Sequence, residues 1–339
     1  MNDRLLKALR CQNDGRPPIW LMRQAGRYLP EYRLLREKYS LWEMFHQPEI
    51  AAEVTRLPLK LLKLDAAILF SDITVIAEAL GMKVHFPEKG GPLIEPSLSR
   101  AEDVDRVIKP FDEVALSHVT RTIQLLKGTL SVPLIGFCGG PFTVASYMAA
   151  RTHREDWSCI QAWLSEDPQS FHVLLDKIAK ASIDYLRLQI DAGVEVIQIF
   201  DSWAIKLTPL QFWDFCGKYL KQMCDALKTL GVPVIIFCRG SSLIPEKLAE
   251  VGADAISFDW HEEIPKLRLR VPPHIAVQGN IDPQILLGSK ARLLEKTEEI
   301  LQSMRKEKGF IFNLGHGVLP LTPVEHVQEL VEVVTSFHF

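Results

Sequence analysis

Short apolar runs alternate along the chain with longer segments of helical periodicity. Each run is four to seven residues long, is rich in Ile, Val, Leu or Phe, and shows no clean alternation with polar residues. Strands that are apolar on both faces belong in a parallel sheet covered by helices. The pattern therefore predicts eight buried parallel strands, at residues 19–22, 66–70, 133–138, 194–200, 232–238, 255–258, 275–278 and 310–314.

The segments between these runs have the three- and four-residue apolar spacing of helices. Helices are predicted at residues 48–64, 168–192 and 209–230, and the last two begin with a proline, whose missing N–H costs nothing there. Thr208 is the expected cap of the third helix, and Gly193 and Gly231 are expected to end the last two. An N-terminal helix, a hairpin within residues 83–96 and the loop 139–167 lie outside the repeat.

This order of elements predicts a single (β/α)8 TIM-type barrel domain over residues 1–339, with an N-terminal helix and loop insertions. A chain of 339 residues fits one such barrel, and no linker or low-complexity stretch divides it. A doubly wound open sheet is the alternative. It is disfavoured because no Gly-x-Gly-x-x-Gly motif follows the first strand.

Polar, charged and glycine residues follow all eight predicted strands. In a barrel, the loops after the strands face one shared cavity, and chemistry collects there. The sequence therefore predicts a single site at this rim. The residues at the strand ends are Arg23 to Arg27, Asp72, Gly139, Gly140, Asp201, Ser202, Arg239, Asp259, Trp260, Asn280, Asp282 and His316.

Arg23 and Arg27 lie in a glycine-containing loop after the first strand, and Arg36 follows in the next segment. Guanidinium groups bind carboxylates and phosphates through paired hydrogen bonds, and exposed backbone N–H groups add donors. An anion-binding loop is therefore expected. Pairing of these arginines with surface acids such as Glu31 or Glu37 is the alternative.

Asp72 follows the second apolar run and Ser71, at the mouth of the predicted barrel, where an acid is costly unless it is hydrogen-bonded or faces a cation. It either stabilises a positive charge in the cavity or caps the helical segment 73–80. His316 stands between two glycines, as an anion donor or as a structural histidine. Tyr147 and Ser202 are weaker candidates, with helix core and helix capping as their alternatives.

Overall charge and composition narrow the choice of partners. Lys and Arg total 39 against 42 Asp and Glu, a net charge of −3, so neither nucleic acid nor an anionic membrane is an expected partner. The six cysteines contain no Cys-x-x-Cys pair and are expected to be free thiols of a reducing compartment. The charged N-terminus lacks a secretory apolar region, and the longest apolar runs fall far below the ~18 residues that span a bilayer. A cytoplasmic protein is therefore expected.

Several reaction classes lack sequence support. The chain has no Walker loop, no His-Glu-x-x-His, no Gly-x-Ser-x-Gly, no EF-hand and no His-x-Cys zinc seed. Its histidines are dispersed, so no metal and no cofactor are expected. Arginines, one or two acids, hydroxyls and a histidine remain, a set that binds a polyanion and stabilises a cationic intermediate.

These residues resemble the uroporphyrinogen decarboxylase family. Residues 22–32 (MRQAGRYLPEY) are similar to its N-terminal signature, and residues 135–143 (IGFCGGPFT) to its second signature. Further similar segments, in family order, are FSDI at 70–73, FDS at 200–202, DW at 259–260, QGNIDP at 278–283 and NLGHG at 313–317. The resemblance extends from residue 17 to about residue 326 and is carried by a long, specific first signature.

The resemblance implies an enzyme of haem and chlorophyll synthesis that is homodimeric and uses neither cofactor nor metal. Such enzymes convert the four acetate arms of uroporphyrinogen III to methyl groups, which gives coproporphyrinogen III and four CO2. The implied roles are a carboxylate-binding loop at Arg23, Gln24, Ala25, Gly26 and Arg27 with Arg36 nearby, pyrrole N–H acceptance by Asp72, arm contacts from Tyr147, Ser202 and His316, and macrocycle packing by Phe200.

We expect Asp72 to remain ionised beside the pyrrole N–H donors, which hold down the pKa of its carboxyl group, and to stabilise a cationic ring. The ring proton donor, Arg23 or a bound acid, stays open. Residues 237–241 (FCRGS) depart from the family pattern, so contacts from that loop stay open as well. The alternatives are a zinc-dependent corrinoid methyltransferase, which the absent His-x-Cys disfavours, and a non-catalytic tetrapyrrole carrier.

Overall fold

The computed structural model describes residues 2–87, 90–150 and 157–338. Within these ranges the strands are β1 (Ala67–Ile68), β2 (Lys83–His85), β3 (Leu93–Glu95), β4 (Leu134–Gly139), β5 (Val196–Asp201), β6 (Val234–Cys238), β7 (Ala255–Ser257), β8 (Ala276–Ile281) and β9 (Phe310–Leu314). The α-helices in the same ranges are α1 (Arg4–Leu9), α2 (Pro30–Lys38), α3 (Leu41–His46), α4 (Pro48–Leu61), α5 (Ile76–Ala79), α6 (Ala101–Val107), α7 (Ser117–Leu126), α8 (Pro141–Ala149), α9 (Ser158–Glu166), α10 (Pro168–Ala192), α11 (Pro209–Phe212), α12 (Lys218–Leu227), α13 (Pro245–Ala249), α14 (Ile264–Leu269), α15 (Lys290–Ser303) and α16 (Val324–Ser336).

One parallel sheet organises the fold. Across the described residues it contains seven strands, in the order β1-β4-β5-β6-β7-β8-β9, so each strand pairs with the next one along the chain. Helices connect the strands and cover the outer face, as parallel pairing requires. The predicted α/β class and seven of the eight predicted strands are therefore confirmed.

The first predicted strand, at residues 19–22, does not form a ladder. Ile19 makes a single parallel bridge to Phe312. Prolines at positions 17 and 18 remove two N–H donors, and the Met22 N–H bonds the side-chain oxygen of Asn313 rather than a strand carbonyl. The prediction of a regular strand at residues 19–22, which would be the eighth strand of the sheet, is therefore wrong.

The concave face of the sheet encloses a core of its own. Alternate residues of the strands point inward and pack together because the side-chain repeat of a strand is two. Leu5, Ala8 and Leu9 of α1 join this cluster and cover one end of it. The inward-facing members from the sheet and the 19–22 segment are Trp20, Met22, Ala66, Ile135, Val196, Ile235, Phe237, Ala255, Ala276 and Ile311.

A buried carboxylate fastens the N-terminal segment to the start of β1. Asp65 accepts hydrogen bonds from both terminal nitrogens of Arg16, at 2.7 and 3.0 Å, and from the Ile19 N–H at 2.9 Å. The Asp65 N–H in turn donates to the Ile19 carbonyl at 2.8 Å. These bonds hold residues 16–19 beside the edge strand, which places the loop that follows at the carboxyl end of the sheet.

The predicted helices form with small differences at their ends. Helix α10 has the predicted bounds and ends at Gly193, whose φ of 127° suits glycine. The 209–230 segment is helical throughout but contains a π turn, and Thr208 caps it in a capping box with Gln211. The 48–64 helix ends earlier, at Leu61.

The insertions also follow the sequence pattern. Strands β2 and β3 pair antiparallel as the predicted hairpin, and residues 88 and 89 of its turn lie outside the described residues. The loop 139–167 contains α8 and α9, with residues 151–156 outside the described ranges. None of the six cysteines forms a disulfide within the described chain, and four of them are buried. No described helix is long and apolar enough to span a bilayer.

Candidate active site

The side chain of Gln24 holds the loop after the 19–22 segment through two hydrogen bonds. Its Oε1 accepts the Leu21 N–H at 3.1 Å, and its Nε2 donates to the Ala66 carbonyl at 3.2 Å. The Tyr28 hydroxyl donates to the Gln24 carbonyl at 2.7 Å. Gln24 is only 1% exposed, so its side chain positions the loop and does not face the solvent.

Arg23 adopts a backbone conformation that is uncommon outside glycine. Its φ is +59°, in the left-handed region, where the β-carbon of most residues is crowded. The Arg23 side chain is exposed, and its aliphatic part passes over Gly317. Strained residues of this kind persist where the surroundings hold them and cluster at functional sites. The bracing by Gln24 provides that hold.

Asp72 follows β1 at the carboxyl end of the sheet. Its Oδ1 accepts the N–H and the hydroxyl of Thr74, at 2.8 and 2.5 Å, within the turn that precedes α5. The N-cap position of α5 is Val75, so Asp72 does not cap this helix as the alternative predicted. Oδ2 accepts no hydrogen bond from the described residues. Burial raises the pKa of the carboxyl group above its ordinary value, while the Thr74 bonds and the positive charge of Arg23 oppose the rise. The second oxygen is therefore available to a ligand.

His316 lies in the same electrostatic environment. Burial, and then the positive charges of Arg23 and Arg239, lower the pKa of His316 to about 4. The imidazole is therefore neutral at neutral pH and offers one N–H donor and one acceptor. Arg23 acts on both Asp72 and His316, which brings three predicted residues together.

Arg239 belongs to this group although the sequence analysis gave it no role. It follows β6 in a loop that Asp259 holds from beneath, by accepting the Gly240 N–H at 2.5 Å and the Ser242 N–H at 3.3 Å. Its position directly after an apolar strand was the available signal. This loop thus places the positive charge of Arg239 near His316.

A row of aromatic rings crosses the carboxyl ends of the central strands. Phe200 meets Phe137 edge to face at 5.6 Å and Phe237 at 6.0 Å between centroids. Phe237 meets His316 in the same manner at 5.8 Å. The buried ring of Phe237 therefore links Phe200 to His316.

Tyr147 and Ser202 lie beyond Phe200. Tyr147, on α8, meets Trp203 edge to face at 5.8 Å, and Trp157 stacks on Trp203 at 6.4 Å. Ser202 begins a 3-10 turn whose cap position is Asp201. Tyr147, Trp157 and Trp203 thus form an aromatic cluster beside Ser202, and no pattern in the sequence marks either tryptophan.

Arg27 lies apart from the Arg23 group. Positive charges of Arg36 and Arg27 both act on Tyr32, whose ring meets Phe70 of the β1 end at 5.9 Å. Neither Arg23 nor Arg27 forms an ion pair with an acid of the described chain, so the surface-pairing alternative is not realised there. Ala25 and Gly26 span the turn between the two arginines and are partly exposed.

The glycine pair after β4 allows a buried carboxyl group to close against it. A β-carbon at position 140 would overlap the side chain of Asp201, so only glycine fits there. Asp201 accepts the N–H and hydroxyl of Thr143 at 2.9 and 2.5 Å. Burial raises the pKa of Asp201 to about 6. This contact locks the β4 and β5 ends together below Ser202.

Known proteins match this chain over nearly its whole length. The family model described as uroporphyrinogen decarboxylase (URO-D) matches residues 1–337. Uroporphyrinogen decarboxylase of Protochlamydia amoebophila is 49% identical over 98% of this chain and 91% of its own length. The Coxiella burnetii enzyme of the same name is 41% identical over 99% of this chain and 95% of its own length.

A solved structure, a methyltransferase from Methanosarcina mazei, has a TM-score of 0.84 and covers 99% of this chain and 98% of its own. Its sequence identity is 23%, so this likeness concerns the fold alone. The family match extends over nearly the whole chain, and both decarboxylases are more than 30% identical to it. On this evidence the chain belongs to the uroporphyrinogen decarboxylase family.

Proposed function

We propose that this protein decarboxylates uroporphyrinogen III, converting its four acetate arms to methyl groups and releasing coproporphyrinogen III and four CO2. The observation that carries the proposal is the carboxylate of Asp72. One oxygen is held by Thr74, the other is open, and Arg23 lies close enough to lower the pKa of the carboxyl group. Membership of the family supports the substrate class.

The substrate is a macrocycle with four inward-pointing pyrrole N–H groups and eight carboxylate arms. Oδ2 of Asp72 accepts N–H donors at the centre of the ring, and the aromatic row at Phe200 packs against the ring face. Arg23, Arg27 and Arg36 bind the arms, because guanidinium pairs bidentately with carboxylate. Neutral His316 donates to one arm, and Tyr147 and Ser202 bind arms on the opposite side.

Each decarboxylation needs an electron sink for the pair left by CO2. Protonation of the pyrrole α-carbon next to the β-carbon that bears the acetate arm makes the ring cationic and conjugated with that arm. The C–COO⁻ bond then breaks, its electrons enter the ring, and CO2 leaves. A proton adds to the resulting methylene carbon, and the ring carbon loses its proton, so the net change is one proton consumed per CO2 released.

Asp72 stabilises the cationic ring in this sequence. A fixed carboxylate in a partly buried site requires no reorganisation when the charge develops, and each ~1.4 kcal/mol of selective stabilisation gives about tenfold in rate. Arginines on the arms choose which acetate meets the reacting position. The group that protonates the ring is Arg23 or an acid bound with the substrate.

Three further features belong to the proposal. Residues 18–22 close the parallel sheet into a single (β/α)8 barrel domain, an inference supported by the Phe312 N–H bond to the Pro18 carbonyl and the Asp65 N–H bond to the Ile19 carbonyl.

The protein acts in the cytoplasm. It forms a homodimer, an inference supported by exposed apolar side chains at Leu210 and Leu243, which are 86% and 66% exposed.

The test is anaerobic incubation of purified protein with uroporphyrinogen III and separation of the products by carboxyl number. We expect seven-, six-, five- and finally four-carboxyl species, with CO2 release. Asp72→Asn is expected to keep the fold, as measured by circular dichroism, and to lose most turnover. Tight tetrapyrrole binding without CO2 release would instead identify a carrier, and near-native turnover by Asp72→Asn would refute the electrostatic role.

A further inference from the structure

Three ligating side chains from three helices converge behind the Asp72 segment. His46 ends α3, Glu78 lies in α5, and His118 lies in the first turn of α7. Their ligating atoms all lie within 4.8 Å of one another, a spacing that one metal ion can bridge. The sequence offers no hint of this cluster because its members are far apart along the chain.

The His46–Glu78 contact needs a positive charge between its two atoms. Nδ1 of His46 lies 2.9 Å from the Trp42 carbonyl, which accepts only a hydrogen bond, so Nδ1 carries the proton. A neutral His46 then has a lone pair on Nε2, and this atom lies 2.8 Å from Oε2 of Glu78. Two lone pairs repel at that distance, so a proton or a metal ion must lie between them.

His118 supplies the observation that separates a metal ion from a proton. Its Nε2 is buried and has no hydrogen-bond partner among the described residues. Its ring bonds the Ala115 carbonyl, which leaves Nε2 with a lone pair, and burial together with His46 lowers the pKa of His118 to about 4. The His118 and His46 rings stack at 4.3 Å. A proton satisfies the His46–Glu78 pair alone, whereas a metal ion also satisfies Nε2 of His118.

We propose that Nε2 of His46, a carboxylate oxygen of Glu78 and Nε2 of His118 form a binding site for one divalent transition-metal ion of the zinc class. Two imidazoles and a carboxylate are zinc ligands, and histidines that bind zinc commonly donate their other N–H to a backbone carbonyl. The Trp42 and Ala115 carbonyls occupy these outer positions. Water completes the coordination.

Zinc entry requires the three ligating atoms, which lie within 4.8 Å of one another, to move to the separations that zinc imposes. Zinc lies about 2.0–2.2 Å from nitrogen and oxygen ligands, so tetrahedral neighbours are about 3.4 Å apart. The His46 and Glu78 atoms, now 2.8 Å apart, need to separate by a few tenths of an ångström. An open depression of about 460 Å³, lined by Trp42, Glu78 and residues 82–86, gives an entry path.

The position of the site defines its role. Helix α5 continues directly from the turn that Asp72 begins, and the charge of Glu78 acts on Asp72. A zinc ion here cross-links α3, α5 and α7 and stabilises the segment that contains Asp72. The role is structural and requires no change in the proposed chemistry.

The experiment uses the whole protein, stripped of metal with a chelator and titrated with Zn²⁺ by calorimetry. We expect one tight equivalent and a higher melting temperature with zinc. His118→Phe keeps a stacking ring and Glu78→Gln keeps the side-chain size. Each is expected to weaken zinc binding by more than the roughly 10–100-fold that loss of an outer-shell partner costs, and to abolish the zinc-dependent rise in melting temperature.

His85→Asn is the matched control. His85 and Glu95 form an exposed pair at 3.2 Å beside the same depression, so adventitious surface binding would depend on them. X-ray absorption at the zinc edge is expected to report nitrogen and oxygen ligands with imidazole scattering. The proposal is overturned by the absence of saturable binding, by sulfur ligation, by unchanged affinity in both site variants, or by equal loss in His85→Asn. Because none of these readouts is catalytic, failure of the decarboxylase proposal leaves them intact.

Discussion

The aliphatic stem of Arg23 lies against Gly317, in space that a β-carbon at position 317 would fill. The residue after His316 must therefore be glycine for Arg23 to reach its place. The contact joins the first and last elements of the site, and it explains why a glycine follows the histidine in terms of packing. Because of this contact, a single methyl group added at position 317 would change the position of the Arg23 guanidinium.

Gly317→Ala is expected to displace Arg23 and to weaken substrate binding. The clash is with the stem of the side chain, which cannot rotate away as a flexible end can. Loss of one charge-assisted carboxylate contact corresponds to about 2 kcal/mol, or roughly thirtyfold in KM. Steady-state kinetics measures this change, and Gly15→Ala, where the nearest atom is 3.9 Å away, is the matched control. An unchanged KM would contradict the assigned role of Arg23.

Asp72 is expected to release protons when a tetrapyrrole binds. In the free protein, burial raises the pKa of its carboxyl group above the ordinary 3.8. Pyrrole N–H donors favour the charged form and lower that pKa again, so binding at a pH where the free carboxyl group is partly protonated expels a fraction of a proton. Anaerobic calorimetry with coproporphyrinogen, in buffers of different ionisation enthalpy, measures the release.

The matched variant for this experiment is Asp72→Asn, which cannot titrate. Carboxylate arms of the ligand also release protons as they meet arginines, but they do so equally in both proteins. We therefore expect the wild-type protein to release more protons than the variant. Equal release would show that Asp72 does not face the pyrrole nitrogens.

Arg239→Gln is expected to raise the pKa of His316 from its present value of about 4. Burial is the largest cause of the lowered pKa and remains, but one of the two positive charges that oppose protonation is removed. Nuclear magnetic resonance of the imidazole, titrated between pH 3 and 7, measures the change. Arg121→Gln, at an exposed position on α7, is the control and should leave His316 unaffected. An identical titration curve in Arg239→Gln would remove this arginine from the site.

Asp201 is expected to make the fold less stable as the pH rises through its titration range. Its folded pKa of about 6 lies above the ordinary 3.8, so between these values the folded state binds more protons than the unfolded chain. Stability from this group is therefore full below about pH 4 and falls by on the order of 3 kcal/mol by pH 7. Denaturant unfolding across this range measures it.

Asp201→Asn isolates the effect because the amide cannot ionise and can still accept from Thr143. The difference in unfolding free energy, wild type minus variant, should decline as the pH rises from 4 to 7. Other titrating groups contribute equally to both proteins and cancel. A flat difference would mean that Asp201 ionises at an ordinary pH despite its burial.

The sequence was informative about the site wherever a residue follows a strand. Asp72, Ser202 and His316 each come directly after an apolar run, and all three lie at the carboxyl end of the sheet. Gln24 shows the limit of this approach. It belongs to the loop that is predicted to bind carboxylates, yet its side chain turns inward and holds the loop, and only the hydrogen bonds to Leu21 and Ala66 reveal this.

Two other features could not be read from the sequence for physical reasons. A run such as 19–22 is as apolar as a true strand, but the ladder fails because prolines remove donors and Asn313 captures one N–H with its side chain. The His46, Glu78 and His118 cluster depends on the packing of three separate helices. The spacing of residues along the sequence does not show how separate helices pack. The dispersed histidines therefore give no indication that they lie close together.

Helix α1 covers one end of the inner core, in which Leu5 and Leu9 are buried. Hydrogen bonds from Asn2 to Ser131 and from Asn13 to Lys308 place this helix at the amino ends of the strands. In the proposed function, a partly decarboxylated tetrapyrrole therefore enters and leaves at the opposite end, beside Asp72 and His316, where it competes with unreacted substrate.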